Sequence, residues 1–124
     1  MPADTPEELH ALLAAAFNRG DVEAFLAIYE PDAVMLMPPD GQAVRGRDAL
    51  RAAVEPLFAA RPRFESRVVA KLEADGIALT HARWTVATEA DGEGREETGS
   101  GAVVSRRQPG GGWLIALDNP LSPH

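Results

Sequence analysis

The sequence predicts a single α+β domain: a few amphipathic helices followed by a curved antiparallel sheet. Three observations carry this. Apolar residues recur at helical spacing through the first 60 or so positions. From Arg63 onward the apolar period drops to roughly two. Between the later segments stand Asp75-Gly76, Ala90-Asp91-Gly92 and Pro109-Gly110-Gly111-Gly112, all turn compositions. Helices first and a four-strand meander second is an α+β order, not an alternating βαβ one.

Thr5-Pro6-Glu7-Glu8 reads as a helix start, with Thr5 as cap, Pro6 in the first turn and Glu8 at the capping-box position. Leu9, Leu12, Leu13, Ala16 and Phe17 then form one apolar face, giving a helix over about 5–18 that Gly20 ends. Asp21 caps a second helix, 21–29, whose buried stripe is Val22, Phe25, Leu26 and Tyr29 and which Pro31-Asp32 breaks. Ala33 to Met37 reads as a buried strand ending at Pro38-Pro39-Asp40-Gly41. A third helix, 47–60, buries Leu50, Ala53, Val54, Leu57 and Phe58, and Pro56 within it is expected to kink or divide it. Strands follow near 63–73, 77–89, 95–107 and 112–118.

A chain of 124 residues suits one domain, and no linker divides it. With no cysteine, neither disulfides nor thiolate metal sites are available. Histidines at 10, 81 and 124 have no ligand-like spacing, so no metal is expected. No glycine-rich phosphate loop precedes a helix, and no cofactor is expected. The net charge of −7, with scattered arginines, argues against nucleic acid and anionic membrane as partners. The acidic, proline-bearing start lacks a secretory pattern, and a cytoplasmic location is the expectation.

Asn18-Arg19-Gly20-Asp21-Val22-Glu23-Ala24-Phe25, continuing through Tyr29-Glu30-Pro31-Asp32-Ala33-Val34, resembles the first half of the nuclear transport factor 2-like superfamily. That superfamily includes ketosteroid isomerase and polyketide-cyclase-like proteins. Val44-Arg45-Gly46-Arg47-Asp48-Ala49-Leu50 and the end, Gly112-Trp113-Leu114-Ile115-Ala116-Leu117-Asp118-Asn119-Pro120, add to the resemblance. It implies a cone: a strongly bent sheet whose concave side faces three helices and encloses a pocket. It also implies a homodimer through the outer sheet face. Fold alone decides no reaction. The isomerase residues themselves are missing. Met37 stands at the place of the general base, Leu13 at that of the oxyanion tyrosine and Val103 near that of the partnering acid.

Matching the last strand to the isomerase pattern turns Ala116 and Asp118 inward and leaves Trp113, Ile115 and Leu117 on the outer, dimer-facing side. Desolvation would raise the Asp118 pKa and make it a general acid or base; alternatively it closes the strand end through backbone or arginine bonds. The expected apolar wall comes from Phe17, Met35, Met37, Phe58, Trp84 and Val103. Tyr29 is either core with a bonded hydroxyl or a pocket donor. Asn119 is either at the mouth or in a turn. On strand 77–89 the even face, with Trp84, is the better cavity wall; the odd face would instead bring His81 and Arg83 to Asp118.

Two functions fit these residues. One is a pocket protein doing cofactor-free acid–base chemistry on a small apolar organic compound, as an isomerase, cyclase, dehydratase or hydrolase. The other is a non-catalytic ligand-binding or dimerisation module.

Overall fold

Three helices cover one face of a six-stranded sheet in the computed structural model, which describes residues 3–37, 41–90 and 93–122. The elements run α1 Pro6–Arg19, α2 Val22–Ala27, β1 Tyr29–Met37, β2 Gln42–Arg45 and α3 Arg47–Ala59. The meander follows: β3 Arg63–Ala74, β4 Ile77–Ala90, β5 Glu93–Arg107 and β6 Trp113–Ser122. Strand order is β2-β1-β6-β5-β4-β3. Neighbours are antiparallel except β1 and β6, which pair in parallel.

Local chemistry accounts for most boundaries. The Thr5 hydroxyl accepts from the Glu8 amide at 3.3 Å. Glu8 reaches back to the Asp4 amide, also 3.3 Å, so the box closes one residue outside the cap. Gly20 ends α1 in the left-handed region at φ 70, and Asp21 starts α2 by accepting from the Ala24 amide at 3.0 Å. Gly46 precedes α3 at φ 87, a conformation that side-chain-bearing residues resist. Asp75 and Gly76, at φ 52 and 77, make the tight β3–β4 turn their composition predicts. The expected turns at Pro38-Pro39-Asp40 and Asp91-Gly92 lie outside the described residues.

Three expectations are corrected. The second helix stops at Ala27, and Tyr29 opens β1 instead of closing a helical stripe. The Ile28 carbonyl accepts from the Ile115 amide at 2.8 Å, which draws the chain into the sheet. Pro31-Asp32 falls where the β1–β6 register shifts, the kind of position that tolerates a proline without an N–H. Pro56 does not divide α3, which is continuous; Pro56 and Ala52 are both exposed, so the carbonyl that the ring deprives of a partner can face water.

The third correction concerns β6. Leu117 pairs with Val104 and Ile115 with Ser105, leaving Ala116 as an extra residue. A bulge of this kind reverses the alternation beyond it. Trp113 and Ile115 therefore face the helices, at 5% and 1% exposure, and Leu117 alone of the three points outward. The outer patch expected from these three residues does not exist.

On β4 the even residues Ala78, Thr80 and Ala82 are buried inward, while His81 and Arg83 are exposed. Trp84 lies over its cross-strand partner Gly99 and donates its indole N–H to the Pro120 carbonyl at 3.0 Å. A Cβ on Gly99 would come within 2.3 Å of that ring. Gly99→Ala is therefore expected to destabilise the fold by ~1–3 kcal/mol as the indole is forced to move, measured by urea unfolding. An unchanged midpoint would show the ring to be free to shift.

Candidate functional site

β6 lies between β1 and β5, and its inward residue Asp118 is directly paired with Met35 on one side and Val103 on the other. Val103 is paired in turn with Thr80, so one row of side chains crosses the inner face. Tyr29 stands above this row because β1 runs parallel to β6, with Tyr29 opposite Ile115 and Met35 opposite Asp118. Its hydroxyl donates to Asp118 Oδ2 at 2.6 Å. The tyrosine is fully buried and Asp118 is 9% exposed. Phe25 packs on the Tyr29 ring at 4.9 Å.

The electrostatics follow from this burial. Desolvation pushes the Asp118 carboxyl up from 3.8 to about 6, with the Tyr29 hydrogen bond pulling the other way. Burial, then the adjacent carboxylate, pushes the Tyr29 phenol well above its ordinary value, so it remains a donor. The pair is an acid–base group poised near neutrality beside a fixed hydroxyl.

A second buried polar group crosses the same row. His10 Nε2 lies 2.7 Å from Thr80 Oγ1, which itself donates to the Val103 carbonyl at 3.4 Å. This arrangement assigns the Nε2 proton to His10. Desolvation holds the imidazole below its usual 6.5, with Glu7 acting the opposite way. Ser105, also inward and fully buried, has an Oγ without a partner among the described residues. His10 was missed as a site residue in sequence, although it precedes Leu13 and Phe17 by three and seven positions and so belongs to the inward side of α1.

The structure brings Tyr29, Met35, Val103 and Asp118 together. Phe17 and Phe58 stack at 4.5 Å and connect to Tyr29 through Phe25, which also escaped selection as a site residue. Met37 is half-buried against the same core, and Ala116 sits buried at the bulge. Trp84 is turned toward Pro120 instead. Asn119 pairs with Ala102 and accepts from the Leu121 amide at 3.0 Å, the local role. His81 and Arg83 lie on the outer face, away from Asp118, which removes the odd-face alternative. Leu13, half-buried on α1, and Val103 bring no polar group.

Among the described residues, open depressions of about 710 and 470 Å³ lie elsewhere on the molecule, lined by neither Tyr29 nor Asp118. Among the described residues no three His, Asp or Glu side chains converge as metal ligands would. No helix among them is long and apolar enough to cross a membrane.

This architecture, a curled six-stranded sheet with three helices on one face, is that of the nuclear transport factor 2-like, or cystatin-like, proteins. Residues 9–113 match the SnoaL-like domain, and the chain belongs to that family. No curated protein matches it. A putative calcium/calmodulin-dependent protein kinase type II association domain from Thiobacillus denitrificans is similar over 98% of this chain and 99% of its own, at 22% identity and a TM-score of 0.79. A conserved protein from Planctomyces limnophilus aligns over 92% and 90%, at 20% identity and a TM-score of 0.81. A ketosteroid isomerase-like protein from Erwinia carotovora atroseptica aligns over 94% of both chains, at 22% identity and a TM-score of 0.77. These likenesses establish the fold.

The pair itself can be tested without a ligand. Tyr29→Phe removes the one bond that lowers the carboxyl pKa, so Asp118 should titrate above 6, read from the ¹³C shift of its carboxyl. Asp118→Asn removes a charge whose burial is worth ~3 kcal/mol, at about 1.4 kcal/mol for each pKa unit. The raised pKa means this penalty is absent below 3.8 and complete above about 6. The Asn variant should therefore be the more stable protein at pH 7 and should lose that advantage by pH 4. A variant less stable at pH 7 would mean that the carboxylate is structural.

Proposed function

We propose that this chain is a small-molecule pocket protein carrying out cofactor-free acid–base chemistry on an apolar organic compound, with Asp118 and Tyr29 as the reacting pair. The observation that carries the reading is the buried Tyr29–Asp118 pair, in which burial, opposed only in part by the hydrogen bond, pushes the carboxyl up to about 6 at a net cost to stability. An amide would fill the same space without that cost, which supports a chemical role for the acid. At pH 7 it is mostly ionised, able to take a proton from a substrate carbon or hydroxyl. Once protonated, Asp118 no longer needs the phenol as donor, and Tyr29 can turn its O–H to a substrate oxygen where charge develops. Met35 and Met37, flexible and unbranched, are the side chains that yield to admit a ligand. Isomerisation, cyclisation and dehydration can use these steps, and hydrolysis can use the same pair with water as the proton source. Steroid isomerisation by the family's usual residues is not among them, because Met37, Leu13 and Val103 occupy those places.

The test is a panel of cyclic ketones, lactones and epoxides, screened by ligand-induced shifts of the Asp118 carboxyl resonance. Turnover of any compound that binds should fall by about 10²-fold or more in Asp118→Asn. Ligands that bind with no turnover would leave the non-catalytic binding module as the correct reading, and turnover intact in the variant would exclude Asp118 as the reacting group.

For assembly we propose a homodimer through the outer sheet face, in which Leu117 is the one residue kept from the three that the sequence indicated. Leu72, Leu79, Val104, Leu117 and Val34 are cross-strand partners in succession, forming an outward apolar row over five strands. Leu72 is 69% exposed and Leu117 50%. An apolar row of this extent is expected to be covered. Light scattering at micromolar concentration should give twice the chain mass, and Leu72→Glu with Leu117→Glu should halve it. A monomer mass for the unaltered protein would exclude the dimer.

A further inference from the structure

Tyr29 opens β1 where strand pairing alone does little to fix it. β1 pairs with β6 at Tyr29, but its register then shifts and resumes only at Val34. On the other side β2 pairs with Val34 to Met37 and stops short of Tyr29. The irregular segment 30–32 contains Pro31, which has no N–H to offer a neighbour. Two consecutive residues at the start of α3 take the place of the missing strand. The Gly46 amide donates to the Ala33 carbonyl at 2.9 Å. The Arg47 guanidinium donates to the Tyr29 carbonyl, through Nε at 3.2 Å and through a terminal nitrogen at 2.5 Å. Both ends of the irregular segment are thus tied to one point on the helix.

We propose that Arg47 is a positioning residue for the Tyr29–Asp118 pair, holding the tyrosine backbone so that its hydroxyl meets the carboxyl. Two donors of one planar fork converge on a single carbonyl oxygen, which fixes direction as well as distance. Arg47 is half-buried, and among the described residues it makes no ion pair, whereas Arg51 and Arg106 each hold a carboxylate. Its place in α3 supplies a second argument. Arg47 is the first residue of that helix, where the dipole disfavours a cation, and Gly46 before it makes no side-chain cap. The helix gains nothing electrostatically from an arginine there, which supports a role in what the side chain reaches. At 2.6 Å the hydroxyl–carboxyl bond tolerates little displacement of the backbone that carries the ring.

The inference rests on the reading of Tyr29 and Asp118 as the reacting pair, but its test needs no substrate, so either can fail without the other. Asp118 is followed by the titration of its ¹³C carboxyl signal. Tyr29 is followed by its ring ¹³Cζ signal, which is single because the chain has one tyrosine. Arg47→Met keeps an unbranched stem and removes the fork. It should displace the tyrosine signal and raise the Asp118 midpoint above 6, by at least about half the rise that Tyr29→Phe produces, since the Tyr29 bond is what lowers it. Added to Tyr29→Phe it should cause no further rise, because the arginine acts through the tyrosine. Arg47→Lys, a milder change that preserves the charge, should give a smaller rise in the same direction. Arg45→Met, on an exposed position of β2, should move neither signal, and an equal displacement there would overturn the proposal. A purely structural arginine would lower the melting temperature of the folded variants with both signals unmoved, which would also overturn it. So would a rise in Arg47→Met that is as large in the Tyr29→Phe background, since the charge would then act on the carboxyl directly.

Discussion

The inner face of this sheet depends on one extra residue. Ala116 bulges from β6, so the strand presents Trp113 and Ile115 to the helices on one side of the bulge and Asp118 on the other. A regular strand could not do both, because side chains two apart share a face and Ile115 and Asp118 are three apart. The bulge also sits where β6 meets its parallel neighbour β1, whose own register shifts between Tyr29 and Val34. Two irregular strands side by side bring a phenol and a carboxyl to 2.6 Å from positions 89 residues apart.

That contact is energetically unusual. The hydrogen bond favours the ionised carboxyl, yet desolvation outweighs it and leaves the acid titrating near 6. Around the pair the fold offers rings and thioethers, with Phe25 on the tyrosine and Met35 beside the aspartate. A short bond from a neutral donor compensates a buried charge only in part, which is how a carboxyl is kept reactive at neutral pH. The stacked Phe17, Phe58 and Phe64 are ordinary apolar packing.

Much of this fold was legible in the chain because the relevant signals are local. Thr5, Gly20, Asp21 and Gly46 act within a few residues of themselves, and the period change at Arg63 marks the start of β3. The inward direction of Asp118 was legible too, through the resemblance of the last strand to the isomerase pattern. What sequence could not supply was anything fixed by pairing between distant strands. Tyr29 looked helical because Val22, Phe25 and Leu26 precede it at helical spacing; only a hydrogen bond from Ile115 to Ile28 ends that pattern. Trp113 and Ile115 read as outward because a bulge leaves no mark in composition.

The row crossing the sheet carries an acid at one end and a base near the other, and their titrations oppose each other. Asp118 withdraws stability as pH rises from 3.8 through about 6, since it must then hold a charge away from water. His10, held neutral against Thr80, withdraws stability as pH falls below 6.5, since the unfolded chain then binds a proton that the folded one resists. Over the mildly acidic range where both groups titrate, acidification relieves one burden while adding the other. The two contributions to the free energy of unfolding have opposite signs in that interval, and deleting either partner would expose the slope of the other.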